Sequence, residues 1–172
     1  MFKILFVTLV ALPAIFAIKD FTKCKGNGGG ELPEYVNIQG CDEAPCHFYE
    51  GEMLNADAGL TVPHGTKSMK VKLDAYKLGI RIPFDLPEEI LDACQFIEGA
   101  TCPLKGGESI KYNLSTELEG IPHDNVKVQI EFALTDDTGK NMNCVRFDAI
   151  VHNPKTARAH KYSEVPRAAV MA

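Results

Sequence analysis

The chain has 172 residues, 45% of them hydrophobic and 24% charged, with a formal net charge of −5 and no tryptophan. These are ordinary values for one globular domain, and they exclude a disordered, collagenous or coiled-coil chain. The acidic balance lacks the basic footprint of a DNA or RNA binder, so no nucleic acid is expected as a partner.

The first element is a leader. Met1-Phe2-Lys3 is a short basic start, Ile4 to Ile18 carry no charge, and Ala14-Ile15-Phe16-Ala17 ends on a small residue. A run of this length is short for a membrane span and fits a signal peptide over residues 1–17. The mature chain is therefore expected outside the cytosol, secreted or in the lysosomal lumen. The domain is expected over residues 18–153. Residues 154–172, where Lys155, Arg158, Lys161 and Arg167 face a single Glu164, read as a mobile basic tail.

Six cysteines follow the leader, at positions 24, 41, 46, 94, 102 and 144. An even count after a leader points to disulfides, and six cysteines permit 15 connectivities. Cys41 to Cys46 and Cys94 to Cys102 each enclose a short loop containing Pro or Gly, where two Cα atoms can approach to ~5.5 Å. That leaves Cys24 for Cys144. The four- and seven-residue gaps, with no His pair nearby, match no common zinc spacing, so neither metal nor cofactor is expected.

Between the cysteines, apolar and polar residues alternate with the period of strands that bury one face. Val36 and Ile38 form the first such run, and Leu54, Ala56, Ala58 and Leu60 the second. Met69, Val71, Leu73 and Ala75 form the third; Leu78, Ile80, Ile82 and Phe84 continue it in the opposite phase. The change of phase at Lys77 predicts a bulge or bend. Ile110, Tyr112 and Leu114 come next, then the longest run, Val126, Val128, Ile130, Phe132 and Leu134, with Lys127, Gln129 and Glu131 pointing to water. Phe147, Ala149 and Val151 close the pattern. About seven strands without a convincing helix predict an all-β, immunoglobulin-like β-sandwich of two antiparallel sheets. It has no Cys-Trp-Cys core.

Enzyme chemistry finds no support in these residues. The histidines at 47, 64, 123, 152 and 160 are scattered, no Ser sits in a Gly-x-Ser-x-Gly elbow, and the cysteines are taken up in bridges. Glu88 and Glu89 are adjacent, so they diverge and cannot flank a scissile bond. Asn113-Leu114-Ser115 is the one glycosylation sequon, with Asn113 expected to face outward between inward Tyr112 and Leu114.

Taken together, Phe21-Thr-Lys-Cys24, Val36-Asn-Ile-Gln-Gly-Cys41, Ala44-Pro45-Cys46, Leu78-Gly-Ile-Arg-Ile-Pro-Phe-Asp-Leu-Pro87, Cys102-Pro-Leu-Lys-Gly-Gly107, Asp136-Asp-Thr-Gly and Cys144 resemble the ML lipid-recognition family. That family holds the Niemann-Pick C type 2 (epididymal secretory) sterol-transfer proteins, the group 2 mite allergens and many arthropod secreted paralogues. The resemblance covers about Phe21 to Asn153. It implies a sandwich whose sheets splay at one end around a blind apolar pocket for one lipid, and the pairs Cys24–Cys144, Cys41–Cys46 and Cys94–Cys102. Positions matching the family's lipid-contacting pattern are Ile38, Leu54, Ile82, Phe84, Leu118, Ile121, Pro122 and Phe132. Alternation alone adds Tyr112, Leu114 and Phe147, with Tyr112 assigned to the packed core.

Polar groups at the mouth are expected among Lys67, Arg81, Lys105 and His123. Phe132 stands where sterol-specific members carry Trp, and Leu118-Glu-Gly-Ile-Pro122 lacks the Tyr expected before the Pro. The ligand implied is a fatty acid, a sterol or a similar semiochemical-like lipid, carried by a monomer in transient contact with a membrane or receptor. The alternative function is an innate-immunity protein that presents a microbial lipid to a receptor.

Overall fold

The computed structural model describes residues 20–25, 29–82, 86–121 and 123–155. The expected leader, Phe84, Pro122 and most of the basic tail lie outside the described residues. Nine strands form among them: β1 Tyr35–Ile38, β2 Cys46–Tyr49, β3 Met53–Thr61, β4 Lys70–Lys77, β5 Ile80–Ile82, β6 Ile97–Glu98, β7 Ser109–Glu117, β8 Val126–Thr135 and β9 Asn141–His152. Short 3-10 turns at Glu88–Ile90 and Ala93–Phe96 are the helical elements between strands. No helix among the described residues is long and apolar enough to cross a membrane.

The strands build two sheets that face each other, β1-β3-β7-β6 and β2-β9-β8-β4-β5. Register carries the sequence alternation across each sheet, because paired residues share a face. Leu73, Phe132 and Val145 stand side by side on one row, and Ala75, Ile130 and Phe147 on the next. In the opposing sheet Val36, Ala58 and Tyr112 form a row, as do Ile38, Ala56 and Leu114. These two inward faces are the core.

Three features differ from expectation. β2 and β6 were not foreseen: β6 is two residues long, and the inward residues of β2 are Cys46 and Phe48, the first of which was read as a bridge cysteine. β2 also pairs parallel to β9, so the larger sheet is mixed and not purely antiparallel. The chain passes from β1 in one sheet to β2 in the other through the Cys41–Cys46 loop, and a strand that changes sheets is not held to the antiparallel sense of a hairpin.

The second concerns Lys77. The phase change there is a two-residue hairpin turn, with Leu78 at φ 52° and Gly79 at φ 81°, the left-handed pair that suits strand twist. Lys77 pairs with Ile80 and Ala75 with Ile82. Leu78 and Ile80, expected to point inward, are instead 96% and 72% exposed at the hairpin tip.

The third is Glu131, expected in water but buried on the outer face of β8. The N-terminal segment covers it. Thr22 and Arg146 exchange backbone hydrogen bonds of 2.9 and 2.8 Å, and the Lys25 N–H donates to Glu131 Oε1 at 2.9 Å. Arg146 lies 3.5 Å from that carboxylate and stacks 5.2 Å over the Tyr76 ring. Gly30 permits the return of this segment: its φ is +76°, and a Cβ would come 3.0 Å from the Cys144 nitrogen.

All three bridges form as read, Cys24–Cys144, Cys41–Cys46 and Cys94–Cys102, with Cα separations of 5.8, 5.2 and 6.0 Å. The β8–β9 turn is organised by Asp136, whose Oδ1 accepts from the Thr138 N–H, the Thr138 hydroxyl and the Lys140 N–H at 2.8, 2.6 and 2.9 Å. Its Oδ2 lies 2.8 Å from His64 Nε2. The Thr138 hydroxyl, His64 and the two N–H groups hold this carboxyl well below the usual carboxylate range. A depressed native pKa adds stability that is full above the unfolded value and is lost as pH falls toward the native one. Asp136→Asn is therefore expected to lower the thermal midpoint at pH 7, and the gap from the parent protein should narrow once pH drops below about 4. Thermal scans across that range check it.

Candidate functional site

The two inward faces do not meet throughout. They enclose a cavity of about 460 Å³, inside the size range of small-molecule sites. Native interiors are close-packed, so a void of this size is not a packing defect. One wall is built by Ile38 of β1, Leu54 and Ala56 of β3, and Tyr112 and Leu114 of β7. The other is built by Leu73 and Ile82 from the β4–β5 hairpin, Ile130 and Phe132 from β8, and Phe147 from β9. Ile90 and Leu86, from the 3-10 turn and the chain before it, close one side.

The exposed titratable lining residues Lys77, Glu117, Glu119 and His123 lie at the ends of β4 and β7 and in the β7–β8 connection, which identifies the mouth. That connection is held in place. Leu118 exchanges backbone hydrogen bonds with the β2–β3 turn, from Gly51 N at 2.7 Å and to Glu52 O at 2.9 Å. The Ile121 N–H donates to Glu50 Oε2 at 2.8 Å, and Asn153 Nδ2 donates to the Ile121 carbonyl at 2.5 Å. Ile121 is buried and Leu118 partly buried.

The residues named from sequence as lipid contacts, Ile38, Leu54, Ile82, Leu118, Ile121 and Phe132, all line this one cavity. Tyr112, Leu114 and Phe147 join them, so Tyr112 belongs to the cavity wall as well as the core. The expected polar mouth is mostly different. His123 is there, but Lys67 and Lys105 flank the Thr66–Leu104 bridge beyond the far ends of β3 and β7. Arg81 lies on the outer face, ion-paired with Asp74 at 2.5 Å. Lys77 and the two glutamates take their place at the mouth.

Sequence reasoning also missed Asn143. It occupies the position opposite Leu134 and so continues inward the row Val145, Phe147, Ala149 and Val151. That parity was the available signal. Two side-chain atoms of lining residues, the Tyr112 hydroxyl and Asn143 Nδ2, are buried in the packing without a hydrogen-bond partner among the described residues. Tyr112 is 2% exposed, and burial alone pushes its phenol above the ordinary value. Its ring lies 5.9 Å from that of Phe132.

Among the described residues no three His, Cys, Asp or Glu side chains are arranged to hold a metal ion. The cavity can exclude water from an apolar molecule.

A family model described as the ML domain matches residues 19–151. The chain is 28% identical over 140 residues to the NPC intracellular cholesterol transporter 2 of Bos taurus, covering 81% of this chain and 89% of that protein. To the protein of the same name from Danio rerio it is 27% identical over 134 residues, covering 77% and 85%. The crystal structure of a Niemann-Pick type C2 protein from Japanese carpenter ant superposes with a TM-score of 0.63 at 21% identity, covering 76% of this chain and 98% of that one. This likeness shows a shared fold.

Proposed function

The chain belongs to the ML domain family, and from that premise we propose that it is a secreted carrier that takes one lipid between its sheets and hands it on without covalent chemistry. The observation that carries the reading is the cavity itself, about 460 Å³ and walled by alternating apolar residues from both sheets. Transfer of a long acyl chain or a sterol from water releases about 0.8 kcal/mol per buried CH₂, on the order of ten kcal/mol before the entropic costs of binding. Apolar area thus accounts for affinity, and the few polar groups on the lining decide which lipids fit. The cholesterol transporters among the relatives support lipid as the ligand class. Three disulfides support an oxidising compartment such as the extracellular space or the lysosomal lumen.

Native mass spectrometry of the purified protein tests the proposal. A monomer carrying one noncovalent adduct of lipid mass, lost on organic extraction and regained on incubation with lipid, is the expected spectrum. An unliganded protein that takes up neither fatty acid nor sterol overturns it.

We also propose that Asn113 carries a glycan. Its side chain stands on the outer face of β7, half-buried, donating to Glu98 Oε1 at 3.1 Å. Peptide N-glycosidase should lower the mass of the natively secreted protein, and Asn113→Gln should remove that shift.

A further inference from the structure

The outer face of the smaller sheet carries a second concavity, a shallow groove of about 640 Å³. Asn37, Asp57 and Asn113 stand side by side across it on β1, β3 and β7. Gln39, Asn55 and Ser115 follow one outward step along, with the Gln39 N–H donating to the Asn55 carbonyl at 2.9 Å. Phe96 closes the groove beyond β7. Ile97 pairs with Tyr112 and Glu98 with Lys111, so the next residue back along the chain, half-buried Phe96, comes beside Asn113.

Side-chain hydrogen bonds hold this face in order. Asn37 Nδ2 donates to Asp57 Oδ1 at 3.1 Å, Asn55 Nδ2 to Gln39 Oε1 at 3.0 Å, and Ser115 Oγ to Asn55 Oδ1 at 2.8 Å. Asn37 and Gln39 are exposed, and each keeps an amide atom, Oδ1 and Nε2, to accept from and donate to a ligand. No Lys, Arg or His is among the described residues that line the groove, which disfavours a phosphate or carboxylate ligand. Amides, a hydroxyl and a carboxylate beside an aromatic ring suit a sugar. Its hydroxyls both donate and accept, and the positive C–H face of a pyranose is drawn to the negative face of the ring.

The sequon supplies the occupant, because Asn113 lies inside the groove itself. Its Nδ2 donates to Glu98 Oε1, and a glycosylated amide retains one N–H with which to keep that bond. The tether restricts the side chain and so the direction in which the first sugar leaves it. Building on the glycan reading of Asn113, we propose that this groove is the seat of that glycan, with the first N-acetylglucosamine packed on the Phe96 ring. The following sugar lies over Asp57 toward Asn37, two strands and about 10 Å from Asn113. The glycan is then a cover for the outer face of the smaller sheet and adds to the stability of the fold.

The test uses the full protein secreted from eukaryotic cells, with Asn113→Gln, Phe96→Leu and the double variant. Leucine keeps an apolar side chain against the core but presents no flat ring. The parent protein is expected to melt about 2–6 °C above Asn113→Gln. With Leu at 96 the same comparison should give less than about half that difference, the loss of one coupled contact. The cycle cancels whatever Asn113→Gln does through Glu98. Equal differences in the two backgrounds, or no difference with Phe96 present, overturn the seat while leaving the glycan in place. Carbon-13-labelled N-acetylglucosamine gives a second readout on the parent protein alone. Protons of the first sugar should move upfield in the folded glycoprotein relative to the same glycoprotein in urea, through the ring current of Phe96, and unchanged positions overturn the seat. A parent protein whose mass shows no glycan at Asn113 removes the glycan reading and the seat with it, and does not touch the carrier reading.

Discussion

Leu118→Asp is expected to weaken lipid uptake by at least about a hundredfold while moving the thermal midpoint by only a few degrees, whereas Met69→Asp should prevent folding or secretion. Leu118 is partly buried on the cavity lining, and its backbone, not its side chain, makes the hydrogen bonds that fasten the mouth loop. A carboxylate there can turn toward solvent in the free protein. A lipid chain entering past it must strip its water, and that penalty falls on the bound state alone. Met69 is fully buried and away from the cavity, beside Cys94 whose sulfur lies 3.2 Å from the Met69 nitrogen. A charge there has neither a partner nor a path to solvent, and its cost of several kcal/mol is comparable with the stability of a whole domain. Displacement binding and thermal scans on both variants check the contrast. Loss of the fold in Leu118→Asp would place that residue among the structural supports.

Replacing both Cys24 and Cys144 by serine is expected to destabilise the domain by about 2–5 kcal/mol, the largest effect of any bridge removal here. This bond spans a sequence separation of 120, against 5 and 8 for the other two, and the unfolded chain gains most freedom when the longest loop is released. It also anchors the segment that covers Glu131 and Arg146, so its loss exposes a buried ion pair and the free edge of β9. Denaturant titration should show a lower midpoint. A steeper slope would indicate a more expanded unfolded state. Serine at Cys41 and Cys46 should have a much smaller effect on the same measurement.

The core face of β8 was legible from residues alone because five apolar side chains alternate without a break from Val126 to Leu134. A period of two admits only one buried face. β3 and β7 were legible for the same reason, and the bridges because two cysteine pairs are local in sequence. The β4–β5 hairpin was visible only as a change of phase. A two-residue turn pairs odd with even positions just as a bulge displaces them, and alternation cannot tell the two apart.

Other features depended on contacts between segments distant in sequence. Glu131 sits on the polar side of its strand, and nothing near it predicts that residues 20–25 return to cover it. The mouth is at the Lys77 and Glu117 ends of the strands, where exposed residues line the cavity, and not at Lys67 and Lys105, which flank the Thr66–Leu104 bridge away from it. Alternation assigns a face but not a depth. The sequence by itself therefore determined the two-sheet architecture and its covalent ties through local periodicity and cysteine spacing, while lining positions such as Leu118 and Ile121 came from the resemblance to the ML family. Only the tertiary structure decided which end opens and which buried polar atoms are left without partners, because both depend on the gap between two sheets whose strands are joined through distant parts of the chain.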